Sequence, residues 1–291
     1  MTDSGAARDA APCLALDIGA SKVEVALVRP DGVVERRERR SVRDAGADLF
    51  NEIVSMLALV RRGASATLVG VGCAGPMTRG GERISPLNIP QWRDFPLRAR
   101  LGEALSLDVF VEGDARALAL AEGVFGGARS QESYLSMVVS SGIGGGLVMD
   151  GRLVDGDSGN AGHVGHLNVV PNGRRCSCGS CGCLEAEASG LAIETMTGRP
   201  ARDADLSTRR RTGQLVGRAI GSLASALDFN RCYVAGSVAL GFGRDFFTSA
   251  NEAAREVATM PYSTEFEIRP SALGGDGPLL GAALVGWRGA S

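Results

Sequence analysis

A short run of metal-type ligands constrains this chain more than any other feature: His166, Cys176, Cys178 and Cys183, spaced His-x9-Cys-x-Cys-x4-Cys. One imidazole and three thiolates make a closed tetrahedral shell for Zn²⁺, the form of a structural site. The run follows a glycine-rich string, Gly142-Ile143-Gly144-Gly145-Gly146, so a closed zinc here would shape a pocket whose chemistry lies elsewhere. The competing reading is a set of free thiols in a reducing compartment. Four of the seven cysteines fall within eight residues, which favours metal over that reading. Cys181 is the spare, flanked by glycines in a loop that would have to turn it inward. Cys13, Cys73 and Cys232 lie in apolar, strand-like runs and read as ordinary buried thiols.

Length and charge narrow the function classes. A chain of 291 residues can hold two domains with separate cores. Net charge −2 offers no broad basic face for nucleic acid or membrane, so a small-molecule partner is expected. Met1–Pro12 has no apolar core of the secretory kind, and no apolar stretch approaches the roughly 20 residues that cross a bilayer. The cytoplasm is the expected location, where thiols stay reduced. Of 31 basic residues Lys22 is the one lysine, and it sits in a phosphate-type loop.

Periodicity sets out an α/β chain. Cys13–Asp17 is a short apolar run ending in a carboxylate, Val23–Val28 resumes as a strand, and Pro30-Asp31-Gly32 is a turn. Leu49, Ile53, Met56, Leu57 and Val60 recur at helical spacing up to Gly63. A strand over 67–72 follows, then one over 108–111 that delivers Glu112-Gly113-Asp114 at its end, then a helix over 115–125. The second half repeats the theme: a strand over 134–139 into the glycine string, a hairpin at Asp150-Gly151, a helix over 214–228, a strand over 232–235 ending in Gly236-Ser237, and a last helix from about Pro278. Two lobes, each with strand pairs carrying a polar tip, predict a cleft between them. The expected division is 11–113, with 278–291 packing back on it, and 114–277 carrying the zinc loop.

Three consecutive glycines let a backbone approach a ligand closely and aim N–H groups at phosphate oxygens, although such strings are also common in hairpin turns. Together with Asp17-x-Gly19-x-Ser21-Lys22 and Gly236-Ser237, the string predicts a three-loop nucleotide cradle. Neither a Walker lysine–serine pattern nor a strand-linked dinucleotide fingerprint is present. Asp114, at a strand end, reads equally well as a general base or as the N-cap of the helix that follows.

In chain order these segments resemble the ROK family of sugar kinases and sugar-responsive repressors, within the hexokinase–actin superfamily. Asp17–Lys22 resembles its first phosphate loop, Ser140–Gly146 its second, and Val234–Ser237 its adenosine-side turn. Gly162–His166 with Cys176–Glu185 resembles the family signature and zinc loop, and Pro86–Trp92 the sugar-side loop. The resemblance implies a two-lobed actin-like ATPase (ribonuclease H-like) fold and a homodimer. It also implies an ATP-dependent kinase acting on the primary hydroxyl of a hexose-like substrate, with Asp114 as general base. Asp17 would help hold Mg²⁺ through few carboxylates and several waters. The nucleotide would lie on Gly19, Ser21, Lys22, Ser141, Gly142, Gly144, Gly145, Gly236 and Ser237. The sugar would lie on Asn88, Gly113, Asp114, His163, His166 and Glu185, with His166 also ligating zinc.

Two positions depart from the pattern. The family's Asn-Asp reads Gly113-Asp114, and its Gly-Glu-x-Gly-His reads Gly162-His163-Val164-Gly165-His166. A mismatched polar group can shift discrimination about 10⁴-fold. A modified ring is therefore expected, such as an amino sugar or a C7 cyclitol, with Glu112 a candidate partner for an ammonium. Kanosamine (3-amino-3-deoxyglucose), from antibiotic pathways of GC-rich bacteria, fits these hints; glucose and N-acetylmannosamine are the alternatives. A repressor would carry an N-terminal helix-turn-helix, and the 16 residues before Asp17 have neither its apolar spacing nor its basic charge. A sugar-binding module without catalysis is the other rival, opposed by the retention of Asp17, Lys22, Asp114 and both loops.

Overall fold

The computed structural model describes residues 11–19, 21–42, 48–87 and 89–290. Its chain divides into two compact units. The first takes the chain up to Phe125, Asp155–Ala161 and everything from Leu273; the second takes Gly126–Val154 and Gly162–Ala272.

In the first unit β1 (Cys13–Ile18) is buried at every position because it lies between two other strands. It runs antiparallel to β2 (Lys22–Val28) and parallel to β4 (Leu68–Cys73). With β3 (Val34–Ser41) and β5 (Asp108–Gly113) the sheet order is β3-β2-β1-β4-β5. The helix Leu49–Arg61 buries Leu49, Ile53, Met56, Leu57 and Val60, the apolar stripe read from the sequence. The final helix, Gly277–Gly289, lies on the same sheet at very short range. A Cβ on Gly70 would stand 1.9 Å from the Ala282 carbonyl oxygen, and one on Gly286 would stand 2.7 Å from Cys13 Sγ.

Helix Asp114–Val124 also packs on that final helix, where a Cβ on Gly281 would lie 2.5 Å from Ala117. This contact is why the first unit runs to Phe125 rather than stopping at the expected 113. Asp155–Ala161 joins it through side-chain bonds: Asn160 both accepts from the Met77 N–H (3.1 Å) and donates to its carbonyl (2.8 Å), and Arg79 donates to the Gly156 carbonyl.

The second unit repeats the strand pattern. β6 (Tyr134–Val139), β7 (Ile143–Met149), β8 (Arg152–Leu153), β9 (Arg231–Ala235) and β10 (Glu267–Pro270) form a sheet of order β10-β9-β6-β7-β8. In each sheet the unit's first strand pairs antiparallel on one side and parallel on the other. Asp150 (φ 49°) and Gly151 (φ 72°) make the expected β7–β8 hairpin. Helix Leu206–Leu227 begins eight residues earlier than its apolar spacing suggested. Asp205 caps it by accepting the Thr208 N–H, and the polar Arg209–Arg211 turn carries no periodic signal. This helix packs on Arg244–Val257 so closely that a Cβ on Gly217 would meet the Ala250 carbonyl at 2.1 Å. Among the described residues no helix is long and apolar enough to cross a membrane.

Candidate functional site

The candidate residues fall into two groups, one in each unit. In the first, Asp17 lies near the end of β1, beside Gly72 of β4 and Glu24 of β2 in strand register. A Cβ on Gly72 would be in ordinary contact with both the Asp114 Cα (3.5 Å) and Asp17 Oδ1 (3.7 Å), so the two aspartates flank one patch. Asp17 is 5% exposed. Burial, then the neighbouring Asp114 charge, pushes its carboxyl up to about 7 from the ordinary 3.8; Lys22 works against this and Glu24 with it. Asp114 opens its helix and accepts the Ala115 N–H at 2.7 Å, while Gly113 holds the N-cap position. The N-cap expectation for Asp114 is corrected: Gly113 is the cap, Asp114 is the first helical residue, and one of its oxygens is oriented by the next N–H.

Lys22 begins β2 and pairs with Glu24, a residue that sequence reasoning passed over as part of a strand. Glu24 is buried, and its signal was there to be found: a carboxylate inside the apolar run Val23–Val28 needs a partner. The Gly19–Lys22 turn closes on itself, with the Gly19 N–H donating to the Lys22 carbonyl (3.0 Å), and Ser21 is exposed at its tip. Asn88 lies outside the described residues.

Glu112 departs from expectation. Its carboxylate is gripped by Arg116 at 2.7 and 3.0 Å and accepts the Gly113 N–H, so it is no partner for a ligand ammonium. Arg116 is buried yet keeps its charge. Burial disfavours its guanidinium, and the bonds from Glu112 and Asp155 outweigh that.

In the second unit the glycine string is mostly strand. Gly144, Gly145 and Gly146 lie in β7 opposite Val138, Met137 and Ser136, so the turn is Ser140–Gly142 alone. Another backbone runs across β7: a Cβ on Gly145 would lie 2.9 Å from Val164 Cγ2 and 3.3 Å from the Gly162 carbonyl, and the crossing segment itself is glycine at its two closest points. A Cβ on Gly162 would sit 2.3 Å from the Gly145 carbonyl, and one on Gly165 would sit 2.2 Å from that of Ile143. Of this string's glycines expected on the nucleotide, Gly142 is in the turn and Gly144 and Gly145 are in the strand that follows it. At the turn, the Gly190 N–H donates to the Ser140 carbonyl (2.7 Å) and the Ser140 and Ser237 hydroxyls are 3.0 Å apart. Gly236 has φ 101° and a Cβ there would strike the Val139 carbonyl at 2.3 Å, so only glycine fits. Ser141, Gly142, Gly236 and Ser237 are thus brought together by β6 and β9.

Glu185 opens the short helix Leu184–Ala188, and one of its oxygens accepts the Ile143 N–H at 2.8 Å. A Cβ on Gly142 would lie 2.9 Å from that oxygen. His163 is exposed, and its ring lies 5.9 Å from that of His166, centroid to centroid.

His166, Cys176, Cys178 and Cys183 converge, their donor atoms all within 4.8 Å of one another. Donors bound 2.0–2.3 Å from a tetrahedral Zn²⁺ stand roughly 3.3–3.8 Å apart. Cys178 and Cys183 Sγ are 3.7 Å apart, and Cys176 Sγ is 3.6 Å from His166 Nδ1. The four residues therefore fit the ion, with Nε2 as the ring nitrogen turned elsewhere. Cys181 is exposed and outside the group. The loop has a second fastening that the sequence did not announce. Buried Glu187 accepts the Arg174 N–H (2.7 Å) and pairs with the guanidinium groups of Arg174 (2.5 Å) and Arg211 (2.7 Å).

Comparison with known proteins accords with this geometry. The sequence pattern of the ROK family matches residues 13–287, and the chain belongs to that family. A glucokinase from Thermotoga maritima is 37% identical over 184 residues, covering 62% of this chain and 58% of its own length. An N-acetylmannosamine kinase from Haemophilus influenzae is 29% identical over 287 residues, 93% of this chain and 94% of that protein. Among solved structures, a ROK glucokinase from Streptomyces griseus in complex with glucose and AMPPNP superposes with a TM-score of 0.85 at 25% identity. The match covers 95% of this chain and 99% of that one. The α/β fold with two mixed sheets is that of the ROK sugar kinases.

Proposed function

We propose that this chain is an ATP-dependent carbohydrate kinase that phosphorylates the primary hydroxyl of a hexose or modified hexose, with Asp114 as general base. The observation that carries the reading is the pair of aspartates over Gly72. Asp17 is buried beside a second carboxylate and is opposed by one lysine, an arrangement that calls for a cation or a proton. Mg²⁺ held by Asp17 and water would supply charge neutralisation on the nucleotide's phosphates. Asp114, oriented by the Ala115 N–H, would take the proton of the attacking hydroxyl. Ser141, Gly142, Gly236 and Ser237 would hold the nucleotide, with Lys22 drawn from Glu24 toward phosphate.

His166, with Nδ1 on a structural zinc, would present Nε2 to a sugar hydroxyl, and Glu185 would present its second oxygen. The two departures support an acceptor other than glucose. An amide is missing at Gly113, and an imidazole stands at His163 where the family has a carboxylate. An amino sugar such as kanosamine is the finer reading, for an enzyme of antibiotic biosynthesis acting as a cytoplasmic homodimer. Relatives that phosphorylate glucose or N-acetylmannosamine supply the alternatives.

The test is ADP release with glucose, N-acetylmannosamine, glucosamine, kanosamine and a C7 cyclitol. Asp114→Asn should lower kcat at least about 10²-fold with sugar affinity retained. Undiminished turnover removes Asp114 as base, and sugar binding without turnover in the native protein supports an inert module. Cys178→Ser should bring bound zinc from one equivalent toward none. Zinc retained at full stoichiometry would show that the ligand set is wrong.

A further inference from the structure

We infer that Arg116 is a positioning residue for Asp114, and that position 113 is glycine because the stem of Arg116 takes the room a side chain there would need. What Asp114 does rests on the kinase reading above; the pairing of 113 with 116 stands apart from it.

Gly113 has φ −58° and ψ 136°, a conformation open to any residue, so backbone freedom does not explain the glycine. Space does. A Cβ on Gly113 would lie 3.3 Å from Arg116 Cδ and 3.7 Å from both its Cβ and Cγ. The stem is not free to withdraw, because its guanidinium is tied at several points. Nε and Nη2 hold the two oxygens of Glu112 at 2.7 and 3.0 Å, Nη2 also reaches Asp155 Oδ1 at 2.6 Å, and Nη1 reaches the Ala161 carbonyl at 3.2 Å.

Glu112 Oε1 also accepts the Gly113 N–H at 2.7 Å. Arg116 therefore fixes, through Glu112, the Glu112–Gly113 peptide, one residue ahead of Asp114, while the Ala115 N–H fixes the carboxylate from the other side. The same guanidinium fastens Asp155–Ala161 to this turn, alongside Asn160 on Met77 and Arg79 on Gly156. A lysine at 116 could hold one carboxylate oxygen at a time and would lose the two-point grip. A side chain at 113 would press on the tethered stem of Arg116, so these two positions form a matched pair.

A double-mutant cycle on Gly113→Ala and Arg116→Ala, read by kcat, by KM for each substrate and by the urea midpoint, tests this. Arg116→Ala should lower kcat about 10²-fold while KM for ATP stays within about twofold, the split expected of a misplaced base. Arg116→Lys should recover part of that loss. Gly113→Ala should lower kcat about tenfold in the native background and have no effect in the Arg116→Ala background. Equal cost in both backgrounds, or a kcat for Arg116→Ala within about twofold of native, overturns the proposal.

Should Arg116→Ala fail to fold, Gly113→Ala and Gly113→Asn decide. A graded fall in kcat and midpoint with side-chain size supports the pair, and no change in either overturns it. If the native protein turns over no sugar, the kinase reading fails on its own. The urea cycle still decides the pair: Gly113→Ala should lower the midpoint only where Arg116 is present.

Discussion

Asp17 in the first unit and Glu187 in the second are both buried carboxylates, and their surroundings treat them in opposite ways. Around Glu187, burial alone would raise the carboxyl. The N–H of Arg174, then Arg211, then the charges of both arginines hold it below the ordinary 4.5. Asp17 meets Asp114 and Glu24 with Lys22 as its counter-charge, and is pushed up to about 7. One acid is satisfied by its own chain and fastens a loop; the other, buried beside a second carboxylate, holds its proton to about 7 and on the proposed reading exchanges it for a cation. The contrast separates scaffold from chemistry in residues that look alike in a sequence.

The largest expected effect breaks that contrast directly. Asp17→Asn should lower kcat about 10²-fold or more at saturating Mg²⁺, measured by ADP release, while raising the melting temperature of the metal-free protein. Loss of both rate and stability would show that Asp17 is held like Glu187.

A pH scan of metal-free protein comes next. The folded state keeps a proton on Asp17 that the unfolded chain releases near 3.8, so stability should fall as pH rises from about 4 to about 7 and level off above. The drop should be on the order of 4 kcal/mol and should vanish in Asp17→Asn, followed by urea unfolding. Glu187 has the reverse sign: its contribution is present above 4.5 and fades as pH falls below it.

Glu187→Gln should cost about 2 kcal/mol, less than a wholly buried pair because both arginine heads are partly exposed, with zinc still bound by mass spectrometry. Zinc loss in this variant would make the two fastenings of the loop a single one. The smallest effect is a control outside both acids. Gly151→Ala forces a φ of 72° on alanine with nothing crowding its Cβ, and should cost about 1 kcal/mol by thermal unfolding with kcat unaltered.

What could be read from the sequence divides along the same line. The cluster of His166, Cys176, Cys178 and Cys183, the helix from Leu49 and the strand from Tyr134 carry their own spacing, so periodicity and ligand chemistry recover them. Beyond the turn at Pro30-Asp31-Gly32 and the Val33-Val34 that follows it, β3 carried no signal because Val34–Ser41 is a charged edge strand without apolar alternation. The glycines of β7 read as loop because a glycine made necessary by a crossing backbone resembles one made necessary by a turn; Gly162 and Gly165 lie many residues away. Glu187 and Arg116 were invisible for a related reason. Which charge a fold buries depends on partners distant in the chain, as Glu112 shows by joining Arg116 instead of awaiting a ligand.

The last helix sets an order of events at birth. Gly277–Gly289 completes a sheet whose opening strand is Cys13–Ile18, with the missing side chains of Gly70 and Gly286 leaving room for nearly direct backbone contact. A ribosome therefore releases β1 and β4 long before their cover exists, and the bared apolar face of that sheet must wait until Gly277–Gly289 has been made. The second unit draws on nothing beyond Ala272 and can consolidate first.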